Sequence, residues 1–314
     1  MALSDLERLL TYGMDAVDAD NSIVEKQLAK MYKDSYKIVD QQIKDLYARL
    51  GDKMTLPEAQ KYKRLEGVQK SIADEYRKLT GKALSLAEDT SAQNFTEAWY
   101  RSNWAMDQAI GTALSWGVLP VEAIRKSVYS EYSGLNIIQT FRKNSAADLV
   151  RIQSALTRGL ATGAGYVKTA RGISDAFEKG LWQALRVVRT ETGRNFTEGQ
   201  LKSYQDALDM GINVVKVWSS AHDERTRDAH GYLDGSQADK NGMFRSSNGG
   251  FGPGPGLMQN ASDDINERCR FIERIISLPP EIEASRGATY VTFKDYAAPL
   301  GWTREKGWPK VKLV

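Results

Sequence analysis

The spacing of the apolar residues changes from a helical to a strand period near Gly211, and this change constrains the fold more than any other feature. Up to Met210 the apolar residues recur every three or four positions, as on one face of a helix. From Asn213 to Ser219 the chain is β-branched and short, which is typical of a strand. The sequence therefore predicts the α+β class: an extended, mainly helical N-terminal region and a small C-terminal α+β domain with a short β-sheet.

Two apolar stripes within residues 22–80 predict a helical hairpin. The first stripe passes through Tyr32 and the second through Tyr76, and packing one stripe against the other buries both. The second helix is expected to end near Gly81, because glycine commonly follows the last turn of a helix. Further helices are predicted beyond it, so region 1–170 is expected to be helical throughout.

An aromatic stripe follows the hairpin, between residues 84 and 124. Its side chains recur at mostly helical spacing, which is typical of core packing between helices. A cofactor or ligand site is the alternative, and we favour the core. The aromatic residues of the stripe are Phe95, Trp99, Trp104 and Trp116.

Composition excludes several classes of protein. The 314 residues include 43 Lys and Arg against 40 Asp and Glu, so the net charge of +3 gives little bulk attraction for nucleic acid. The single cysteine, Cys269, forms no internal disulfide and supplies no cysteine cluster, which favours a reducing compartment. No run reaches about 18 apolar residues, and residues 1–10 are too charged for a signal peptide. We therefore predict no membrane-spanning segment.

A long polar loop connects two predicted strands. The second strand, at 269–276, alternates in polarity and is expected to pair with the first, at 213–219. About fifty residues rich in Gly, Asp, Asn, Ser and Pro lie between them, and loops of that length are functional or held by their own polar contacts. We predict a long ordered loop here, and a further strand at 290–293.

The loop contains the ordinary candidates for catalysis. His230 or His222 is a possible general base, Asp223 is placed to orient an imidazole, and Arg225 and Arg227 are suited to holding a phosphate. Taken together, Asp223, Arg225 and His230 suit a phosphodiesterase or nuclease. This is the enzymatic alternative.

Two other interpretations use the same residues. His230, Asp223 and Cys269 are acceptable metal ligands, with His230 and Cys269 the weak candidates, but no regular ligand spacing supports a metal site. Alternatively, Asp223, Arg225, Arg227 and His230 form an ion-paired network that satisfies the backbone of the loop. We favour this structural interpretation and predict no catalytic residue, metal or cofactor.

Several short motifs occur in a recognisable order. They are Arg189-Thr190-Glu191, Trp218, Asp223-x-Arg225-Thr226-Arg227-x-x-His230, Leu233-Asp234-Gly235, Phe244, a Gly/Pro turn at 252–256, Asn266 and Cys269-Arg270. Together these motifs resemble the phage head morphogenesis family, the minor head proteins typified by the Mu F protein and the SPP1 gene 7 product. The resemblance covers about residues 165–276. It implies a Mu F-like α+β domain at 171–280 and a C-terminal tail at 281–314.

The resemblance implies a structural function rather than an enzymatic one. Family members are minor capsid components, so we expect a protein of the virion, made in the host cytoplasm and placed in the capsid interior or at the portal vertex. Expected partners are the portal protein and the major capsid or scaffolding protein, with packaged DNA as a further candidate. Such a protein would assist head assembly and early DNA delivery or ejection. The implied structural motif network comprises Glu191, Trp218, Asp223, Arg225, Arg227, His230, Asp234, Gly235 and Cys269.

This sequence departs from the family pattern at its cysteines. Many members end the motif Cys-Arg-Cys, whereas Phe271 stands at the second cysteine here, and Thr226 and Ala229 stand where thiols occur elsewhere. The departure disfavours the zinc site that the family pattern suggests. Some members also carry a toxin domain after the motif region, and residues 278–314 are too few for one.

The tail is basic near its end. Arg304, Lys306, Lys310 and Lys312 are candidates for contact with DNA or a protein partner. The alternative, a basic terminus lying on the surface of the protein itself, is the interpretation we favour.

Overall fold

The computed structural model describes residues 4–51, 56–57, 64–131, 134–287 and 290–313. Its described helices and strands confirm the α+β class, with helix as the main component. The chain forms two compact units that are discontinuous in sequence. Unit 1 contains residues 1–21, 87–134 and 188–314, and unit 2 contains residues 22–86 and 135–187. The predicted division into 1–170, 171–280 and 281–314 stays a prediction about independent folding.

Five helices account for most of the described chain before residue 210. They are α1 (Ser4–Leu50), α2 (Arg64–Ile110), α3 (Val121–Val128), α4 (Ile137–Ala161) and α5 (Gly165–Asp209). An Asn136 capping box begins α4, since its side chain accepts from the Gln139 amide while the Gln139 side chain accepts from the Asn136 amide. Among the described residues, no helix is long and apolar enough to cross a membrane.

The predicted hairpin stripes form the core of unit 2. Tyr32 and Tyr76 are both buried, and their ring centroids lie 6.4 Å apart in an edge-to-face arrangement. Tyr76 also contacts Phe177 of α5 at 5.3 Å and donates a hydrogen bond to Asp148 of α4 at 2.7 Å. The stripes therefore pack as predicted, with α4 and α5 as additional partners. The turn that the sequence predicts between the two helices lies at residues 52–55 and 58–63, outside the described residues.

The predicted helix end near Gly81 is wrong, because α2 continues to Ile110. A glycine inside a helix costs about 1 kcal/mol relative to alanine, which is small against the packing of a long buried face. Downstream of Gly81 that face carries Phe95, Trp99 and Trp104, which are buried as predicted for a core stripe. Packing therefore overrides the local propensity of one glycine.

The two predicted strands pair as expected. β1 (Asn213–Ser219) and β4 (Arg270–Ser277) are antiparallel, with Trp218 opposite Phe271. Between them lie α6 (Asp228–Gly231), the two-residue strands β2 (Phe244–Arg245) and β3 (Phe251–Gly252), and α7 (Ala261–Asp264). The polar loop is thus an ordered, largely irregular segment that both strands anchor, as predicted.

A buried cross-strand pair joins β1 to β4. Lys216 lies opposite Glu273, and both side chains are almost fully buried. Burial raises the pKa of Glu273 to about 8 and lowers the pKa of Lys216 to about 8, in each case despite the attraction of the opposite charge. The Lys216 ammonium lies over the Tyr204 ring at 5.2 Å and donates to the Pro253 carbonyl. Burial therefore acts against the charge of both members of this cross-strand pair.

The strand predicted at 290–293 is wrong. Helix α9 (Phe293–Ala297) follows the short helix α8 (Pro280–Ala284), and the Thr292 hydroxyl caps α9 by accepting from the Asp295 amide. Phe293 of this segment belongs to the unit 1 core, where it is buried against Trp104 at 5.6 Å, whereas Tyr290 and Val291 are exposed. A four-residue window does not distinguish a strand from a capped helix start.

The basic tail packs against other parts of unit 1, to which it belongs. Trp308 is buried and stacks on Tyr100 at 4.1 Å, and Leu313 is buried in a neighbouring cluster. Lys310 forms an ion pair with Asp89. The other three basic residues proposed for partner contact, Arg304, Lys306 and Lys312, are exposed.

Candidate functional site

The centre of the loop network is a buried imidazole held between two carboxylates. His230 lies on α6 with its side chain 1% exposed. Its Nδ1 is 2.7 Å from Glu267 Oε2, and its Nε2 is 3.2 Å from Asp263 Oδ1. Both ring nitrogens are therefore occupied by acidic partners, an arrangement that suits the doubly protonated imidazolium. The Trp218 ring contacts the imidazole edge-to-face at 5.3 Å.

Glu267 is fixed by further donors. Arg227 NH1 donates to Glu267 Oε2 at 2.7 Å, and the other carboxylate oxygen accepts from the backbone amides of Arg268 and Cys269. Arg227 also donates to the Ile265 carbonyl, so one guanidinium joins the start of α6 to the segment before β4. These contacts make Glu267 a junction between two distant parts of the loop.

Asp263 is fixed in the same way on the other side of the imidazole. It accepts from Ser246 Oγ at 2.6 Å and from Asn248 Nδ2 at 2.9 Å, and its side chain is fully buried. Gly250 lies directly against this carboxylate, and a Cβ there would lie closer than 3.0 Å to Asp263 Oδ2. The turn between β2 and β3 is therefore shaped to let the backbone approach Asp263.

Electrostatics favour the charged form of the whole cluster. Burial opposes protonation of His230, but its hydrogen bonds and charge interactions with Glu267 and Asp263 outweigh burial and raise the pKa of His230. Burial likewise opposes ionisation of Glu267, but the contacts with His230 and Cys269 lower the pKa of Glu267 to about 2. The cluster is thus an imidazolium with two carboxylates and one guanidinium.

The raised pKa of His230 predicts a specific pH dependence. The stabilisation that protonated His230 contributes is fully present below the unfolded histidine pKa of about 6.5. It is lost as the pH rises through the higher pKa of the folded state. The Glu267 contribution is present above about 4.5 and is lost as the pH falls towards 2. The protein has two histidines, so NMR titration of ¹⁵N-labelled imidazoles resolves both, with His222→Gln providing the assignment. We expect His230 to stay protonated above pH 6.5, and a neutral His230 at pH 6 would contradict the geometry.

The structure places Asp223 away from His230, contrary to the interpretation in which it orients the imidazole. Asp223 is at the surface, where it accepts hydrogen bonds from both terminal nitrogens of Arg268 and lies 3.8 Å from Arg225. The hydrogen bonds from Arg268 hold the pKa of Asp223 well below its usual range. Asp263 and Glu267 take the role that the sequence assigned to Asp223.

This placement predicts that Asp223 is dispensable for the fold. An exposed ion pair in salt contributes little to stability, so Asp223→Asn is expected to leave the thermal midpoint almost unchanged at physiological ionic strength. Differential scanning calorimetry measures the effect. A large loss of stability in Asp223→Asn would show that the surface pair belongs to the buried cluster.

The remaining predicted network residues lie in separate contacts. Asp234 accepts from the Ser220 amide at 2.8 Å and lies 2.9 Å from His222, while Gly235 has a φ of +73° that favours glycine. On α5, Glu191 accepts from Arg194 at 2.6 Å in a second buried ion pair. The structure therefore brings Trp218, Arg227, His230 and Cys269 into one cluster and leaves Glu191, Asp223, Arg225, Asp234 and Gly235 outside it.

The cluster contains three side chains of metal-ligating type. Ligand atoms of His230, Glu267 and Cys269 lie within 4.8 Å of one another. However, Glu267 Oε2 is only 2.7 Å from His230 Nδ1, whereas two ligand atoms at about 2.1 Å from a tetrahedral zinc lie roughly 3.4 Å apart. Burial and the Glu267 charge raise the pKa of the Cys269 thiol to about 12, although zinc requires the thiolate. The donor set fits a hydrogen-bonded cluster better than a metal centre.

Sequence analysis missed Asp263, Glu267 and Arg268. Each lies more than thirty residues from its partner in the chain, at separations of 33, 37 and 45 residues for His230–Asp263, His230–Glu267 and Asp223–Arg268. A usable signal existed in the acidic pair at Asp263-Asp264, because the preceding Asn260 caps α7 and marks the segment as ordered. Which side chains these acidic residues contact, by contrast, depends on the pairing of β1 with β4.

Comparison with known proteins places this site in a family. Residues 150–272, which include the whole His230 cluster, match the family model described as Phage Mu protein F like protein. The chain is also 27% identical over 299 residues to the minor head protein GP7 of Bacillus phage SPP1, covering 91% of this chain and 94% of that relative. The chain is therefore similar to phage minor head proteins, both in its Mu F-like region and over most of its length. The resemblance seen in the sequence motifs is thereby confirmed.

A second relative of this chain carries an enzyme name. The chain is 26% identical over 273 residues to a protein of Enterococcus faecalis named NAD(+)–arginine ADP-ribosyltransferase EFV. This match covers 87% of the chain but only 56% of that relative. None of the solved structures compared with the chain matches it.

Proposed function

We propose that this protein is a structural component of the phage head that binds the portal protein or the inner capsid wall and assists early DNA delivery. The observation that carries the proposal is the similarity to a minor head protein over nearly the full length of both chains. The two similarities support a role in head morphogenesis and an association with the virion. The contact with the portal or capsid and the assistance to DNA delivery go beyond these similarities and are proposed here.

The geometry of the His230 cluster supports a structural role for the loop. His230 is 1% exposed, and both of its nitrogens are engaged by carboxylates that are themselves buried. A general base must reach the proton that it removes, and an imidazole in this position faces no substrate. The cluster instead joins α6, the β2–β3 turn and the segment before β4, which fixes the shape of the loop as a possible protein-binding surface.

The enzyme name of the Enterococcus faecalis relative carries little weight for this chain. The similarity spans 56% of that relative at 26% identity, so an activity of the whole relative does not transfer to the shared part. The nuclease alternative has no observation in its favour once His230 and Asp223 are seen to lie apart. We therefore propose a function by binding rather than by catalysis.

Deletion of the gene from its phage tests the proposal. We expect fewer completed heads or fewer infectious particles per head, with restoration by the wild-type gene supplied in trans. Electron microscopy counts the heads, plaque titre gives infectivity, and co-sedimentation of purified protein with purified portal or capsid protein tests the contact. Unchanged head yield and infectivity, or DNA cleavage that depends on His230, would contradict the proposal.

A further inference from the structure

A surface groove of about 540 Å³ lies between α4 and α5 in unit 2. Its floor consists of small side chains, including Ala155, Gly172 and Ala176. The two helices approach closely, since a Cβ at Gly159 would lie closer than 3.0 Å to the Thr169 side chain. This cavity, bounded by residues 150–161 of α4 and 168–179 of α5, is called the α4–α5 groove below.

Basic side chains line the rim of the groove. Arg158, Lys168 and Lys179 are all exposed, and no described acidic side chain lies within ion-pair distance of them. Arg151 also lines the groove, but it is engaged by Asp148 and Gln183. Three cations are thus available for an anionic partner.

Exposed apolar side chains accompany these cations. Val150 lines the groove and is 62% exposed, and Val167, next to Lys168, is 77% exposed. Trp182 is 58% exposed and lies three residues beyond Lys179 on α5. Val167 and Trp182 lie outside the lining of the groove, but an exposed tryptophan is typical of a protein-binding surface, where aromatic anchors carry much of the affinity.

We propose that the α4–α5 groove is the docking surface for an acidic, amphipathic helix of another phage head component. The apolar floor fits the apolar stripe of such a helix, and the three rim cations complement its acidic flanks. From residue 150 to residue 161 the groove runs for about 17 Å along α4, which is the length of roughly three helical turns. The inference rests on the proposed function, because that function supplies the class of partner.

A helix fits this surface better than nucleic acid does. Phosphate binding needs a track of cations, whereas the groove has three free cations and an exposed carboxylate, Asp175, among its lining residues. The apolar floor and Val150 offer nothing to a phosphate backbone. The combination of small apolar residues with a sparse basic rim is that of a helix-in-groove interface.

Binding measurements with purified full-length protein test the docking surface. The probes are the portal, major capsid and scaffolding proteins of the same phage, and a random-sequence DNA duplex. The groove variant is Arg158→Glu/Lys168→Glu/Lys179→Glu, and the matched control reverses three exposed lysines on α1, Lys26→Glu/Lys30→Glu/Lys33→Glu. Trp182→Ala removes the aromatic anchor. Thermal unfolding verifies that each variant is folded.

The outcomes separate the groove from the proposed function. We expect one head component to bind, with affinity reduced at least about tenfold by the groove variant and about thirtyfold by Trp182→Ala, and unchanged in the control. Equal binding by the groove and control variants would overturn the docking surface while leaving the proposed function intact. Groove-dependent binding to the duplex alone would overturn it in favour of nucleic acid. Failure of the wild-type protein to bind any head component would overturn both.

Discussion

Replacing His230 with alanine is expected to lower the free energy of unfolding by about 3–5 kcal/mol. The substitution removes the imidazole that lies between the carboxylates of Glu267 and Asp263 and leaves both buried without this cation. Burial then disfavours the ionised state of both carboxylates, and the loop loses the contact that joins α6 to the segment before β4. Urea unfolding monitored by tryptophan fluorescence measures the loss, with Trp218 reporting directly beside the imidazole.

The second histidine provides the matched control. His222 lies at the surface, with its side chain 65% exposed, and pairs with Asp234. A surface pair contributes about 1 kcal/mol or less, so His222→Ala is expected to be nearly neutral. A nuclease assay on the same samples separates the interpretations. Retained stability in His230→Ala, with loss of a DNA-cleaving activity, would show a catalytic rather than a structural histidine.

The second large effect is expected at Gly199, where α5 crosses α2. A Cβ at this position would lie closer than 3.0 Å to the backbone carbonyl oxygen of Phe95, so no side-chain rearrangement relieves the clash. Gly199→Val forces the two helices apart inside the buried core of unit 1. We expect a loss of at least about 3 kcal/mol, measured by thermal or urea unfolding.

Gly81 is the control for this prediction, since it lies in the interior of α2 with no atom within 4 Å of a Cβ built there. Gly81→Ala is expected to raise stability by about 0.5–1 kcal/mol, because alanine reduces the conformational freedom of the unfolded chain. If Gly199→Val is as stable as the wild type, the result would contradict the close approach of α2 and α5 at this position.

Periodicity predicted the parts of the fold that depend on short stretches of sequence. The buried stripes through Tyr32 and Tyr76 and the pairing of β1 with β4 followed from spacing and β-branched composition. Helix ends were more difficult to predict. Gly81 resembles a residue that ends a helix, yet α2 continues past it because of long-range packing. Local propensity is worth about 1 kcal/mol there, whereas the face that continues beyond Gly81 buries two tryptophans.

The site was predicted in part for a related reason. The sequence assigns Arg227, His230 and Cys269 to one network. In the structure Cys269 contacts His230, and Arg227 is joined to His230 through Glu267. Asp223 was grouped with them because it lies only a few residues from His230 in the sequence, yet it faces Arg268 at the surface. The acidic partners of His230, Asp263 and Glu267, follow a Gly/Pro-rich turn in the sequence. The path of that part of the loop depends on close backbone contacts such as that of Gly250. Sequence proximity is a poor guide to contacts inside an irregular loop.

The proposed function requires this chain to be a component of the phage head. Quantitative mass spectrometry of purified immature, DNA-filled and DNA-emptied particles tests that claim most directly. We predict a small, reproducible number of copies in filled particles. Loss on emptying would identify an internal protein that leaves with the DNA, and retention would identify a fixed portal or capsid component. Absence from all three kinds of particle would contradict the structural account.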